Sequence, residues 1–251
     1  MYPNFEEIKK YTGVVEARNF EVFRERLAKN GMLHQANDFF RATGAHTVLQ
    51  YKEVNESLLR TRNSGGFQLL GLADFPGQGS AFVGILDAFW ESKGLVTPEK
   101  FRESCAPTVL LARLPKRTFR NGEKLKAKME IYHFGKDALN SRKLNWTLTG
   151  EDGTVYHKGS LKTKSIQPAT VDSLGIIELP LNGMDSALKL TLKAELGGIH
   201  NEWDVWVYPE QPKTEQYNFV YTRTWNDETK QWLNEGKNVL LIPEKCKGRK
   251  A

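Results

Sequence analysis

GGFQLLGLADFPGQGSAFVGILDAFW, residues 65–90, is the stretch on which the fold prediction for this chain depends. Its apolar run at residues 67–72 predicts a strand that is buried on both faces. Residues 74–79, DFPGQG, are rich in the residue types that end strands and build ordered loops. A buried strand that leads into such a loop, with aromatic residues behind it, is typical of how a barrel or a doubly wound sheet presents a site.

The composition of the 251-residue chain is ordinary for a globular protein, with 39% hydrophobic and 26% charged residues. No window approaches the roughly 18 apolar residues of a membrane helix, and the N-terminal MYPNFEEIKK does not resemble a signal peptide. The net charge of +6 is thinly spread, whereas nucleic-acid-binding proteins usually concentrate positive charge. Cys105 and Cys246 match no metal or redox spacing. We therefore expect no nucleic-acid or membrane partner, no metal and no cofactor.

Helical patterns dominate the first sixty residues. Asn4 is placed to cap a short helix, and the apolar spacing within residues 20–27 predicts an amphipathic helix. A further helix over residues 32–42 is expected to stop at Gly44, before another that runs over residues 48–62. A complete domain rarely consists of several helices followed by a single buried strand.

Residues 113–210 differ in pattern, because short segments alternate apolar and polar residues and are separated by turn signals. Six strands are predicted, near residues 124–133, 143–149, 154–162, 170–179, 187–196 and 202–208. Six short strands within roughly a hundred residues are typical of an immunoglobulin-like sandwich. We expect Trp146, Trp203 and Trp206 to fill its core.

Residues 211–251 predict the beginning of an α/β unit. A strand starts at residues 219–220, Asn226 caps a helix that ends at Gly236, and residues 238–242 form a second buried strand. A single β-α-β unit cannot bury its own sheet. We therefore expect further sequence to complete this unit.

Residues 65–113 resemble the end of the catalytic barrel of glycoside hydrolase family 2, the family of the large bacterial β-galactosidases. The matching segments are Gly-Gly-Phe at residues 65–67, Val-Gly-Ile at residues 83–85 and Thr-Pro-Glu at residues 97–99. Family members that are similar to this chain carry GGFQLL, DFPGQG and DAFW segments. Their sandwich ends in a W-D-x-W-V-Y-P segment, which is matched here by residues 203–209.

The resemblance implies an α/β plus all-β fold. Residues 1–112 would form the C-terminal part of an incomplete (β/α)8 barrel, residues 113–210 an immunoglobulin-like β-sandwich, and residues 211–251 the start of a further α/β domain or a tail. Family members are retaining β-glycosidases that use two carboxylates about 5 Å apart. In similar members the nucleophile lies in a His-Glu-x-Gly-Gln segment just before a Tyr-Pro-(Asn/Asp)-Phe sequence, which is matched here by residues 2–5.

Both catalytic carboxylates are therefore expected to lie outside this sequence, and no residue of the chain is assigned a catalytic role. The implied partners are a carbohydrate and either the N-terminal half of the barrel or another copy of the chain. The location would be periplasmic or extracellular if the chain belongs to a secreted bacterial glycosidase. The alternatives are a non-catalytic carbohydrate-binding sandwich module and an interaction protein without a role in sugar binding.

Five residues of the loop region are candidates for substrate binding: Asp74, Phe75, Gln78, Asp87 and Trp90. Glycosidic chemistry needs two carboxylates, but turn capping by Asp74 and an ion pair between Asp87 and a basic neighbour are the favoured interpretations. Gln78 is suited to bind either a sugar hydroxyl or a group within the loop. Phe75 and Trp90 offer apolar faces either to a sugar ring or to a packed core.

Overall fold

The computed structural model describes residues 1–64, 66–75, 82–140, 142–210 and 218–243. Within these ranges the helices are two 3-10 helices, Phe5–Lys10 and Leu33–Gln35, and the α-helices α1 (Arg18–Lys29), α2 (Ala36–Leu59), α3 (Pro98–Arg102) and α4 (Asp227–Asn234). The strands are β1 (Thr108–Arg113), β2 (Thr118–Arg120), β3 (Lys124–His133), β4 (Lys143–Gly150), β5 (Val155–Lys162), β6 (Thr170–Pro180), β7 (Leu188–Leu196), β8 (Ile199–Tyr208), β9 (Phe219–Thr222) and β10 (Asn238–Leu241). The chain divides into two compact units, Met1–Tyr208 and Pro209–Ala251.

The larger unit is built around two sheets. One sheet has the strand order β1-β3-β6 and is antiparallel, and the other has the order β2-β8-β7-β4-β5. Side chains from both sheets meet in a single core, whose fully buried members include Phe119, Met129, Leu148 and Trp203. Two sheets that share a core in this way are compatible with the predicted sandwich. The finer assignment to an immunoglobulin-like fold remains a proposal.

The six strands predicted from alternation are confirmed as β3 to β8, with small shifts at their ends. The prediction for the tryptophans is correct only in part. Trp203 is 1% exposed and Trp146 packs half-buried against the core, but Trp206 is 38% exposed. Successive side chains of a strand point to opposite faces, so Trp206, three residues after the buried Trp203, points outward.

The helices precede the sandwich, as predicted. The two helices predicted over residues 32–42 and 48–62 are, however, replaced by the long helix α2 and the short 3-10 helix before it. Asn4 caps the first 3-10 helix, since its side-chain oxygen accepts a hydrogen bond from the Glu6 N–H. The prediction that a helix stops at Gly44 is wrong, because α2 continues through it. Gly44 is buried against Leu95, whose Cδ2 would lie 2.5 Å from a Cβ at this position. The glycine therefore permits a close contact rather than ending the helix.

Residues 67–72, predicted as a buried barrel strand, form no strand. Leu70 is 97% exposed, and the closest approach to a ladder is one parallel bridge between Ala73 and Leu86. A strand that is buried on both faces needs a hydrogen-bonded neighbour on each side. In the described part of the chain, the backbone bond between neighbouring segments that residues 67–72 make is at their end, where the Leu86 N–H donates to the Leu72 carbonyl oxygen at 3.1 Å. No (β/α)8 barrel is formed by the described residues, so a barrel origin for residues 1–112 remains a proposal.

The smaller unit contains the predicted β-α-β arrangement. Strands β9 and β10 pair in parallel, and α4 connects them. Asn226 caps α4, because its side-chain oxygen accepts a hydrogen bond of 2.9 Å from the Thr229 N–H. Gly236 follows the helix with a φ of 75°, a conformation that glycine adopts without strain. The positions of the strands and the helix are therefore confirmed. The prediction that residues 238–242 are buried is wrong, because Leu240 is 43% and Ile242 is 52% exposed.

Helix α2 is joined to the sandwich through the carboxylate of Glu56, whose side chain has no exposed surface. The Trp203 indole donates to it at 2.9 Å and the Asn201 amide at 3.0 Å. Lys52 Nζ lies 2.7 Å and Arg60 Nη1 lies 3.3 Å from its two oxygens. A buried carboxylate is costly unless it is both paired and hydrogen-bonded. Glu56 satisfies both conditions.

We expect Glu56→Ala to lower the free energy of unfolding by about 3–5 kcal/mol, because it leaves two largely buried cations without their partner. The control is Glu53→Ala on the same helix, which removes a partly exposed ion pair with Arg117. That change should cost less than about 1 kcal/mol. Urea unfolding of both variants measures the difference, and similar losses for the two would contradict the role given to Glu56.

Candidate functional site

The candidate site is formed by residues 73–75 and 82–93, named here the site loop. Backbone hydrogen bonding joins its two segments, since the Asp74 N–H donates to the Leu86 carbonyl oxygen at 3.1 Å. Gly84 passes so close to Ala73 that a Cβ on Gly84 would lie 2.4 Å from the Ala73 carbonyl carbon. Glycine is required at this crossing because any side chain would collide with backbone.

Asp74 is buried inside the site loop, and both of its oxygens are engaged there. Oδ1 accepts a hydrogen bond from the Gly84 N–H at 2.9 Å. Oδ2 lies 2.6 Å from Lys93 Nζ, and both of these side chains are nearly inaccessible to solvent. Asp74 thus links the backbone near Ala73 to the backbone at Gly84. This role corresponds to the turn-capping interpretation of the sequence.

Asp87 is 1% exposed and organises the second half of the site loop. Its Oδ1 accepts hydrogen bonds of 2.9 Å from the N–H groups of Phe89 and Glu91, and its Oδ2 pairs with Lys10. Burial alone would raise the pKa of this carboxyl, but the bonds from Lys10 and the two backbone N–H groups outweigh burial. The pKa of Asp87 is therefore held below its usual range.

The aromatic candidates face solvent. Phe75 is 57% exposed and Trp90 is 70% exposed. Trp90 has a φ of 66°, which is rare for a bulky residue, and its N–H donates to the Asp87 carbonyl oxygen at 3.1 Å. Such a conformation costs about 1–3 kcal/mol and persists where the surroundings impose it. Gln78, the remaining candidate, lies outside the described residues.

Sequence reasoning gave no site role to Glu7, which the structure places next to the site loop. Glu7 is 3% exposed, and neither carboxylate oxygen has a hydrogen-bond partner. Burial raises the pKa of this carboxyl to about 7; Lys93 and Lys10 oppose the shift, while Asp74 and Asp87 add to it. A carboxylate in the first turn of a helix is usually solvated. No sequence pattern around Glu7 therefore predicts that its side chain is buried.

No group of three or more His, Cys, Asp or Glu side chains among the described residues is arranged to hold a metal ion. No helix in the described ranges is sufficiently long and apolar to cross a membrane. The described residues of the site loop thus offer the two buried carboxylates of Asp74 and Asp87, an exposed carboxylate at Glu91 that pairs with Lys10 at 2.7 Å, and exposed aromatic faces.

Comparison with protein families matches residues 123–209 to a family described as a domain of unknown function, DUF8488. The match begins at the edge of β3 and ends just after β8, and it covers less than half of the chain. A search of curated proteins found no match.

Several solved structures are similar to part of the chain at low identity. The sporulation control protein Spo0M of Bacillus subtilis is 16% identical, with a TM-score of 0.33; the similarity covers 43% of this chain and 51% of that protein. The CARDB domain of PF1109 from Pyrococcus furiosus is 12% identical, with a TM-score of 0.31, over 41% of this chain and 94% of that domain. A Paenibacillus cycloisomaltooligosaccharide glucanotransferase is 8% identical, with a TM-score of 0.33, over 47% of this chain and 16% of that enzyme. At these TM-scores the similarities assign no function.

We expect the stability of the folded chain to report the titration of Glu7. Folding raises the pKa of this carboxyl from 4.5 to about 7, so the folded protein holds a proton that the unfolded chain releases. The stabilising contribution is complete below about pH 4.5 and is lost as the pH rises through about 7. Glu7→Gln keeps a neutral group, so its Tm relative to the unchanged protein should rise from about pH 5 to about pH 8.

Thermal unfolding across this pH range measures the difference. Glu6→Gln is the control, because the Glu6 side chain is 75% exposed and pairs only with Lys9 among the residues described. Its Tm difference from the unchanged protein should not vary with pH. A pH-independent difference for Glu7→Gln would show that Glu7 does not titrate in this window.

Proposed function

We propose that this chain is the C-terminal part of a glycoside hydrolase family 2 β-glycosidase whose catalytic carboxylates come from other sequence. The GGFQLL, DFPGQG and DAFW segments support the family. The structural observation that carries the proposal is the contrast within the site loop. Two of its acidic side chains, Asp74 and Asp87, are buried in ion pairs, while Phe75 and Trp90 are exposed.

An exposed aromatic ring on a rigid loop is suited to a sugar, because the ring offers an apolar face to the C–H groups of a pyranose. The Asp74–Lys93 and Asp87–Lys10 pairs fix the backbone on either side of the aromatic residues. Backbone that is already fixed loses less conformational entropy when a ligand binds. The described segments of the site loop are therefore suited to form part of the wall of a carbohydrate site.

The two acidic candidates of the loop, Asp74 and Asp87, are poorly suited to the chemical steps. A retaining glycosidase needs one carboxyl group that gives up a proton and one carboxylate with a free oxygen. Asp74 and Asp87 have both oxygens engaged, and the lowered pKa of Asp87 keeps it ionised near neutral pH, so it holds no proton to donate. A second copy of the chain would bring the same residues. The partner that we propose is therefore the N-terminal half of a family 2 barrel.

A non-catalytic carbohydrate-binding module is the second candidate. The observation in its favour is a pair of aromatic side chains, Trp206 and Tyr208, which are 38% and 47% exposed on the same face of β8. Exposed aromatic residues on a sheet offer a flat surface on which sugar rings stack. This candidate predicts carbohydrate binding without hydrolysis.

Hydrolysis of a panel of aryl β-glycosides by the purified chain tests the first proposal. The assay is run with the chain alone and with an added N-terminal portion of a family 2 β-glycosidase that ends in a His-Glu-x-Gly-Gln segment. We expect hydrolysis only in the mixture. Hydrolysis by the chain alone would refute the proposal, and so would an inactive mixture in which both polypeptides are folded and associated.

Within the active mixture, Trp90→Ala should lower kcat/KM by about tenfold, which corresponds to about 1.4 kcal/mol of lost transition-state binding. Trp206→Ala is the matched control, because it removes an equally large ring from the outer face of β8. It should leave hydrolysis unchanged. The reverse pattern, with carbohydrate retention lost only in Trp206→Ala, would favour the binding module instead.

A further inference from the structure

A cavity of about 470 Å³ opens beside the first 3-10 helix, between that helix and the start of α2. None of the candidate sugar-binding residues that the structure describes contributes to its lining. Its volume lies within the range of pockets that accept a small organic molecule, roughly 300–1,000 Å³. The side chains that matter for its chemistry are Asn4, Phe5, Arg24, Leu33, Asn37 and Phe40.

The floor and one wall of the cavity are apolar. Phe40 is 6% exposed and Phe5 packs against the neighbouring aromatic cluster, so both are held in place. Leu33 lines the cavity while 41% of its surface remains accessible to solvent. An apolar ligand body that covers Leu33 would remove this surface from water, which is favourable.

The polar groups of the lining are mainly hydrogen-bond donors. Arg24 has no carboxylate within ion-pair distance among the residues that the structure describes, whereas Arg18 of the same helix pairs with Glu21 and Glu25. The side-chain oxygen of Asn4 is already occupied by the Glu6 N–H, which leaves its amide N–H groups as donors. The one acidic side chain of the lining, Glu6, is paired with Lys9.

We propose that this cavity binds a small amphipathic carboxylate. The apolar body of the ligand lies against Phe40 and Leu33, and its carboxylate accepts paired hydrogen bonds from the Arg24 guanidinium. A cationic ligand is disfavoured, because its positive charge would lie beside the positive charge of Arg24 with no anionic partner for either. This inference concerns a region outside the site loop and does not rest on the proposed glycosidase function.

Calorimetric titration of the full chain with 4-phenylbutyrate and with its neutral amide, 4-phenylbutyramide, tests the inference, and decanoate serves as a second carboxylate. We expect both carboxylates to bind and the amide to bind at least about tenfold more weakly, as expected for the loss of a charge-assisted hydrogen bond. Arg24→Gln should weaken carboxylate binding by a similar factor and leave amide binding unchanged.

Arg26→Gln is the control for charge, because Arg26 lies on α1, is exposed and does not line the cavity. It should leave both affinities unchanged. Leu33→Ser should weaken the acid and the amide alike, which separates the apolar contact from the ionic one. The inference is overturned by equal affinity for acid and amide, by equal effects of Arg24→Gln and Arg26→Gln, or by no binding of either carboxylate to the folded chain.

Discussion

The carboxylate of Glu56 lies where α2 meets β1 and β8, and the arrangement of the larger unit depends on it. Asn201, which donates to Glu56, also donates to the Leu110 carbonyl oxygen of β1 at 2.7 Å. Arg60, on the other side of the carboxylate, donates to the Ala112 carbonyl oxygen at 3.0 Å. One buried charge therefore fixes a helix against strands of both sheets, and a hydrophobic contact of the same area would not specify the geometry so narrowly.

The fixed position of α2 extends to the site loop. Tyr51 lies on α2 just over one turn before Glu56, and its hydroxyl group contacts the carbonyl oxygens of Gly71 and Val83. The Asp74–Lys93 and Asp87–Lys10 ion pairs then stabilise the loop. Both pairs are largely shielded from water, which strengthens the attraction between the charges but also makes their desolvation costly. Such pairs contribute more to the shape of a loop than to its net stability. The backbone that carries the exposed ring of Trp90 is consequently fixed by Asp87, whose carboxylate accepts hydrogen bonds from the Phe89 and Glu91 N–H groups.

The sequence predicts the parts of this structure that depend on local pattern. Strands β3 to β8 follow from alternation, which is a property of neighbouring residues. Residues 67–72 were misassigned because an apolar run indicates burial but not whether a partner strand exists. The prediction for Trp206 is wrong because it rests on residue type alone. Alternation along β8 places Trp206 on the face opposite to the buried Trp203. Glu56 could not be recognised, since its partner Trp203 is 147 residues away and only the fold brings them together.

The candidate residues of the site loop were recognised, but their roles depend on contacts that only the structure supplies. We propose that this chain completes a carbohydrate site without contributing a catalytic carboxylate. Retaining glycosidases form a covalent glycosyl-enzyme on the nucleophile, and an activated 2-deoxy-2-fluoro-β-glycoside traps it for mass spectrometry. In the reconstituted mixture we expect the label on the glutamate of the complementing polypeptide and none on this chain. A label on Asp74 or Asp87 would contradict the claim.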